Sequence, residues 1–343
     1  MTDASQDRSW PWPPGAATGI GSLPGTDIAE AQRIVFGELP ALPHLAELPQ
    51  RGPGAEIVGR SAAFLVDLPV ELYAGRWRVA DRPGRDLRRA LDLADRDLDQ
   101  LTEQAEGYTG ALKVQSAGVW TLAANLDVGL GGRLIRDHGA VRDLAASLTE
   151  GLRAHVAEVS RRVPGARLLL QLDEPSLPAV LAGTLATDSG LHTYRAVETA
   201  TVRDLLAEVI TGVAVPVVVH CCAPDVPLGL IRQAGAVAVA VDLSLLAELD
   251  PLGEAIDAGL GLFAGAVAAT PTSAAMSTSA ATPTSAAAAG RIRTLWSKLG
   301  FPAEQAAAQV VVTPACGLAG ASGQYARSAL AACRDAGRRL AEQ

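Results

Sequence analysis

Aromatic side chains are scarce: five Trp, four Tyr and four Phe in 343 residues. Single-stranded nucleic acid is held by aromatic stacking over a basic groove. The chain lacks the basic balance as well, with a formal charge of −8 and a pI near 5.2. A partner gripped by its phosphate backbone is therefore not expected. No apolar run reaches the roughly 18 residues of a membrane span, so none is expected. The opening MTDASQDRSW is polar and acidic rather than basic then apolar, so no secretory leader is expected. Cysteine is rare too. Cys221 and Cys222 are adjacent, and Cys316 and Cys333 complete the set. That layout suits a disulfide framework poorly; it fits a reducing cytoplasm with thiols used for metal or chemistry.

What the chain does have is aliphatic mass. Apolar residues make up 49%, and the mean hydropathy is +0.21. Short apolar runs alternate with amphipathic stretches. Strands are predicted over 17–22, 62–70, 111–120, 166–175, 215–222, 236–243, 260–267 and 310–316. Helices are predicted over 85–107, 141–163, 201–212, 225–235, 243–259, 289–300 and 324–343. The strands read as continuous apolar runs, which implies a sheet buried on both faces. Eight strands alternating with helices predict an α/β fold, a single (β/α)8 TIM barrel over 1–343. A doubly wound open sheet is the alternative. The segment 269–290 nearly repeats ATPTSAA, has few large apolar groups and reads as a mobile loop.

Four residues stand at or just past strand ends: His220, Cys222, Asp242 and Cys316. Zinc takes thiolate, imidazole and carboxylate donors, usually four in all. Side chains alternate along a strand, so His220 and Cys222 share a face and Cys221 points away. The four are read as one metal site at the mouth of the barrel. Taken singly, each has a plainer reading, because a buried Cys packs as a small hydrophobe and an Asp at a strand end caps the next turn.

QLDEP (171–175) places Asp173 and Glu174 at the end of another strand. Alternation puts one of them in the site and the other in a cap or ion pair, and Asp173 is taken as the partner of a ligand ammonium. GIGSLPGTD (19–27) lacks the spacing of a phosphate loop, but backbone amides at Ile20, Gly21 and Ser22 could hold a small carboxylate. Trp120 either stacks on a ligand or packs. His155 lies in a helix, and His44, His138 and His192 show no ligand spacing. Cys333 reads as core.

These motifs, in this order, resemble the cobalamin-independent methionine synthases, specifically their C-terminal catalytic barrel and the single-barrel archaeal-type form. GIGSLPGTD matches the IGSxPxT opening, which in the family holds the carboxylate of homocysteine. LQLDEPSL (170–177) matches IQIDEPAL, whose first acid, here Asp173, binds the homocysteine amine. HCC (220–222) matches the HxC zinc pair, and TPACGL (313–318) matches the PDCGL segment with the last zinc thiolate. Together they run from residue 17 to about 320. The chain departs from the family in three places: Asp242 stands where the family has a Glu ligand, Ala179 replaces an acid, and Ala269-Thr270-Pro271 replaces a His-Ser-Pro relay.

The resemblance implies a cytoplasmic, zinc-dependent methyltransferase of methionine biosynthesis. Its acceptor would be homocysteine, and its donor a methylfolate or a methylated corrinoid protein. Two competing readings are a uroporphyrinogen-decarboxylase-like lyase, which needs no zinc, and a non-catalytic thiol- or amino-acid-binding barrel. No residue is assigned to proton transfer.

Overall fold

The computed structural model describes residues 9–129, 131–187, 189–271 and 283–342. The centre of the low-complexity segment, 272–282, lies outside the described residues. In chain order the strands are β1 (Val70–Tyr73), β2 (Arg76–Val79), β3 (Ala111–Ala117), β4 (Asp127–Val128) and β5 (Arg167–Asp173). They continue as β6 (Val217–Cys221), β7 (Ala238–Asp242), β8 (Gly261–Val267) and β9 (Val310–Pro314). Six of them form one all-parallel sheet in the order β3-β5-β6-β7-β8-β9, with helices in each connection. Every residue of β3, β6, β8 and β9 is buried, as the continuous apolar runs require.

The architecture is a mixed α/β fold with a curled parallel sheet. The curl can be measured at the strand ends. In a flat sheet β6 and β9 would lie about 14 Å apart, three spacings of about 4.8 Å. Yet the sulfurs of Cys222, just past β6, and Cys316, just past β9, are 2.9 Å apart. The concave face holds its own apolar cluster. Ala111, Leu169, Val218, Ala238, Phe263 and Val311, one from each strand, pack there with Trp12. Trp12 meets Phe263 edge-on, with ring centroids 5.1 Å apart.

The eight regular strands expected from the sequence are six in this sheet, and two assignments change. Residues 17–22 form no ladder. The stretch 62–70 follows a short helix, Ile57–Ala62, and only reaches β1 at its end. The gap between the edge strands β9 and β3 is instead spanned by residues 16–23 and 43–47, through single parallel bridges. Ala17 pairs with Val312, Ser22 with Glu47, and His44 with Lys113. Gly19, Gly21, Pro40, Pro43 and Pro49 explain the irregularity, since proline lacks a ladder donor and glycine weakens a strand. Gly21 has φ +154, and a Cβ there would come within 3.1 Å of the Gln115 side chain.

The hairpin β1–β2 was not expected either. It turns at Ala74 and Gly75, both at positive φ (48° and 82°), and pairs in parallel with β4 in a separate three-stranded sheet. Among the described residues no helix is long and apolar enough to cross a membrane.

Candidate metal centre

β5 and β6 set the first half of the site. They pair in parallel with Asp173 opposite His220, and the two side chains meet across the ladder. The His220 Nδ1 to Asp173 Oδ1 distance is 2.7 Å, with both side chains buried. Gln171 Nε2 donates to the same oxygen at 2.7 Å. With two donors converging on Oδ1, the network assigns the ring proton to Nδ1. His220 Nε2 is then left buried with no hydrogen-bond partner among the described residues. A ring nitrogen of His220, Cys222 Sγ and Cys316 Sγ form a group whose ligand atoms all lie within 4.8 Å of one another.

The electrostatics of the group favour a cation. Cys316 is drawn well down by the hydrogen bond it shares with Cys222, against burial and with help from His220. Cys222 is correspondingly raised, first by that bond and then by burial. Burial alone would lower His220, but the bond to Asp173 and the nearby Cys316 sulfur outweigh it and raise the ring to about 9. Two sulfurs at 2.9 Å thus share one proton, and both become thiolates only beside a strong positive charge. The unpartnered Nε2, its Nδ1–H on a carboxylate and a pair of adjacent thiols match the donors of a thiolate–imidazole zinc site.

Asp242 takes a different position. Its Oδ1 accepts from Ser244 N at 2.8 Å and from Ser244 Oγ at 2.7 Å, capping the short turn Leu243–Leu245. The structure brings His220, Cys222 and Cys316 together and leaves Asp242 outside that group. Cys221 is fully buried and also outside it, as alternation requires.

A cavity of about 300 Å³ opens beside these three side chains. Ile20, Ser22, Glu47 and Asp173 line it; Gly21 does not. Gly21 acts through its backbone instead, its carbonyl accepting from Glu47 N at 3.1 Å. Glu47 escaped the sequence reading. It stands alone in a Pro-rich stretch without periodicity, and only the bridge to Ser22 brings it to the wall. Burial raises its carboxyl to about 6, while Arg60, 3.3 Å away, pulls it down.

Glu174 faces away from Asp173 and takes the capping role. It accepts from Trp120 N (3.0 Å), Thr121 N (2.7 Å) and Thr121 Oγ1 (2.8 Å). Burial raises it to about 7. A Cβ at Gly118 would lie 2.2 Å from its Oε1, so glycine is required at that approach. Trp120 packs: it is 1% exposed and its indole donates to Val202 O. His155 stacks on Phe64, and Cys333 is core.

The profile of one protein family, the cobalamin-independent synthase catalytic domain, matches residues 15–339. No match is found among the curated proteins. Among solved structures, the chain is similar to a B12-independent methionine synthase from Shewanella sp. W3-18-1 in complex with selenomethionine. The TM-score is 0.62 at 13% identity, over 96% of this chain and 98% of that one. It is also similar to a methyltransferase from Methanosarcina mazei, with TM-score 0.52 at 14% identity, over 90% of this chain and 84% of that one. At such identities the likeness is one of fold.

Proposed function

Since the chain belongs to the cobalamin-independent synthase catalytic-domain family, we propose that it is a zinc-dependent methyltransferase whose acceptor is the thiol of homocysteine. The observation that carries this is the buried, unpartnered His220 Nε2 beside two sulfurs, with Asp173 fixing the ring from behind. Zinc in that place supplies a Lewis acid that keeps a bound thiol ionised near neutral pH. His220, Cys222 and Cys316 hold it. Asp242, whose carboxylate caps Ser244 here, would be the fourth protein ligand.

The rest of the cavity suits an amino acid. Asp173 Oδ2 has no hydrogen bond among the described residues, and with Glu47 it offers two carboxylates to a ligand ammonium. The turn Ile20-Gly21-Ser22 offers backbone amides and a hydroxyl to the carboxylate. Holding both ends orients the sulfur for in-line attack on a methyl group, which is worth several kcal/mol in a bimolecular transfer. The S–CH3 bond forms as the donor's N–CH3 or Co–CH3 bond breaks. We also read the curled sheet, with segments 16–23 and 43–47 as its first two staves, as a closed (β/α)8 barrel forming a single domain.

The donor is tested by methionine formation with two candidates under matched conditions. The leaving nitrogen of methyltetrahydrofolate must be protonated, and Ala179 and Ala269 offer no acid. Turnover is expected with a methylated corrinoid and little with methyltetrahydrofolate. Folate turnover at about 1 s⁻¹ or more, ordinary for an enzyme, would overturn the donor assignment. Zinc and homocysteine binding with no turnover on either donor would leave a binding barrel in place of an enzyme.

A further inference from the structure

The cavity has two kinds of wall. Asp173, His220, Cys222 and Cys316 stand on or just past strands of a continuous ladder, whereas Ile20, Ser22 and Glu47 stand on segments held by single bridges. Backbone bonds flank the lining residues, from Thr18 to Val312 and from Glu47 to Gly21, without forming a continuous ladder. Side chains from β3 and β5 add further ties. Lys113 Nζ donates to Ile20 O at 3.0 Å, and Gln171 Nε2 donates to the same carbonyl at 2.8 Å. Lys113 also donates to Gln115 Oε1 at 3.2 Å, and Gln115 Nε2 donates to Leu45 O at 2.6 Å. Leu45 lies two residues before Glu47. The same Gln171 nitrogen bonds Asp173 Oδ1.

We propose that Lys113 is a positioning residue that sets the amino-acid end of the cavity, Ile20 to Ser22 and Glu47, against its metal end. It is fully buried, and beside the backbone bridge of Lys113 to His44 its amine reaches both irregular segments, 16–23 directly and 43–47 through Gln115. Its charge fits the place. Burial lowers its amine to about 8, while Asp173 and Glu47 hold it up, so it is mostly a cation at neutral pH. A buried cation facing two carboxylates lowers the cost of keeping both ionised, which an ammonium ligand needs. A neutral side chain of the same length would fill the space and break both ties. The inference rests on the amino-thiol reading above and says which residue makes that reading selective.

The test compares homocysteine with 1-propanethiol, which has the same thiol arm but no amino or carboxylate group. Binding to the zinc-loaded protein is measured by calorimetry at one pH. The wild type is expected to prefer homocysteine. Lys113→Met should lose about tenfold or more of homocysteine affinity, the scale of hydrogen bonds involving charge. Its zinc content and propanethiol affinity should stay within about twofold, since the ligand groups remain in place. Retained homocysteine affinity in Lys113→Met would overturn the proposal. So would equal weakening for both thiols, which marks a global structural role. If Lys113→Met does not fold, Gln115→Met carries the test under the same criteria, because it severs the tie to Leu45. A wild type that binds no zinc, or shows no preference for homocysteine, would instead sink the amino-thiol reading itself.

Discussion

Cys316→Ser is expected to purify with less than about 0.2 zinc per chain where the wild type carries about one, because a structural thiolate contributes much of a site's binding energy. Cys222→Ser should behave in the same way. The reason is geometric. The three ligand atoms lie within 4.8 Å, and loss of either sulfur removes one of these three close donors and half of the site's thiolate charge. Cys221→Ser should keep its zinc, since that side chain is buried on the opposite side of the strand. Asp173→Asn should keep the fold but bind zinc about 10–100-fold more weakly, as expected when the carboxylate behind a ligand histidine is neutralised. Metal analysis and competitive titration with a chelator read all four variants. Zinc loss in Cys221→Ser equal to that in Cys316→Ser would show that the wrong sulfurs have been assigned.

Asp97→Ala is expected to destabilise the protein by about 3–5 kcal/mol, the cost of stranding a buried charge. Asp97 lies on the helix Arg85–Gln104 and is fully buried. It holds Arg51 through two bonds of 2.7 and 2.8 Å and also bonds Arg60. Arg60 is 1% exposed, and its other neighbour is Glu47 at 3.3 Å. Without Asp97 the guanidinium keeps a single acid, and its Nη2 already lacks a partner. Desolvation is then not offset, so the loss greatly exceeds that of a surface pair. A urea midpoint measured at unchanged slope gives the value. A loss below about 1 kcal/mol would mean that Arg60 finds water or another acceptor on mutation, contrary to its burial.

What was legible in the sequence followed from periodicity. Alternation along β6 separates Cys221 from His220 and Cys222, and alternation along β5 separates Asp173 from Glu174. Both splits appear in the structure. Continuous apolar runs announced a sheet covered on both faces, and the curl brought Cys316 to Cys222 from three strands away. The illegible parts obey no period. Residues 16–23 and 43–47 are broken by glycine and proline, so Glu47 gave no signal, and the ties through Lys113, Gln115 and Gln171 depend on which carbonyls face inward. Asp242 shows a third limit. A strand end fixes where a residue stands but not what its carboxylate chooses, and Ser244 two residues on offers an ordinary cap.

The central claim is that this site binds a thiol directly to a metal held by His220, Cys222 and Cys316. Zinc X-ray absorption, recorded before and after homocysteine is added, tests it most directly. The protein alone should show about two sulfur neighbours near 2.3 Å, and the complex about three at the same distance. Homocysteine bound at saturation with the count still at two would contradict the account, because the thiol would then sit in the cavity without meeting the metal.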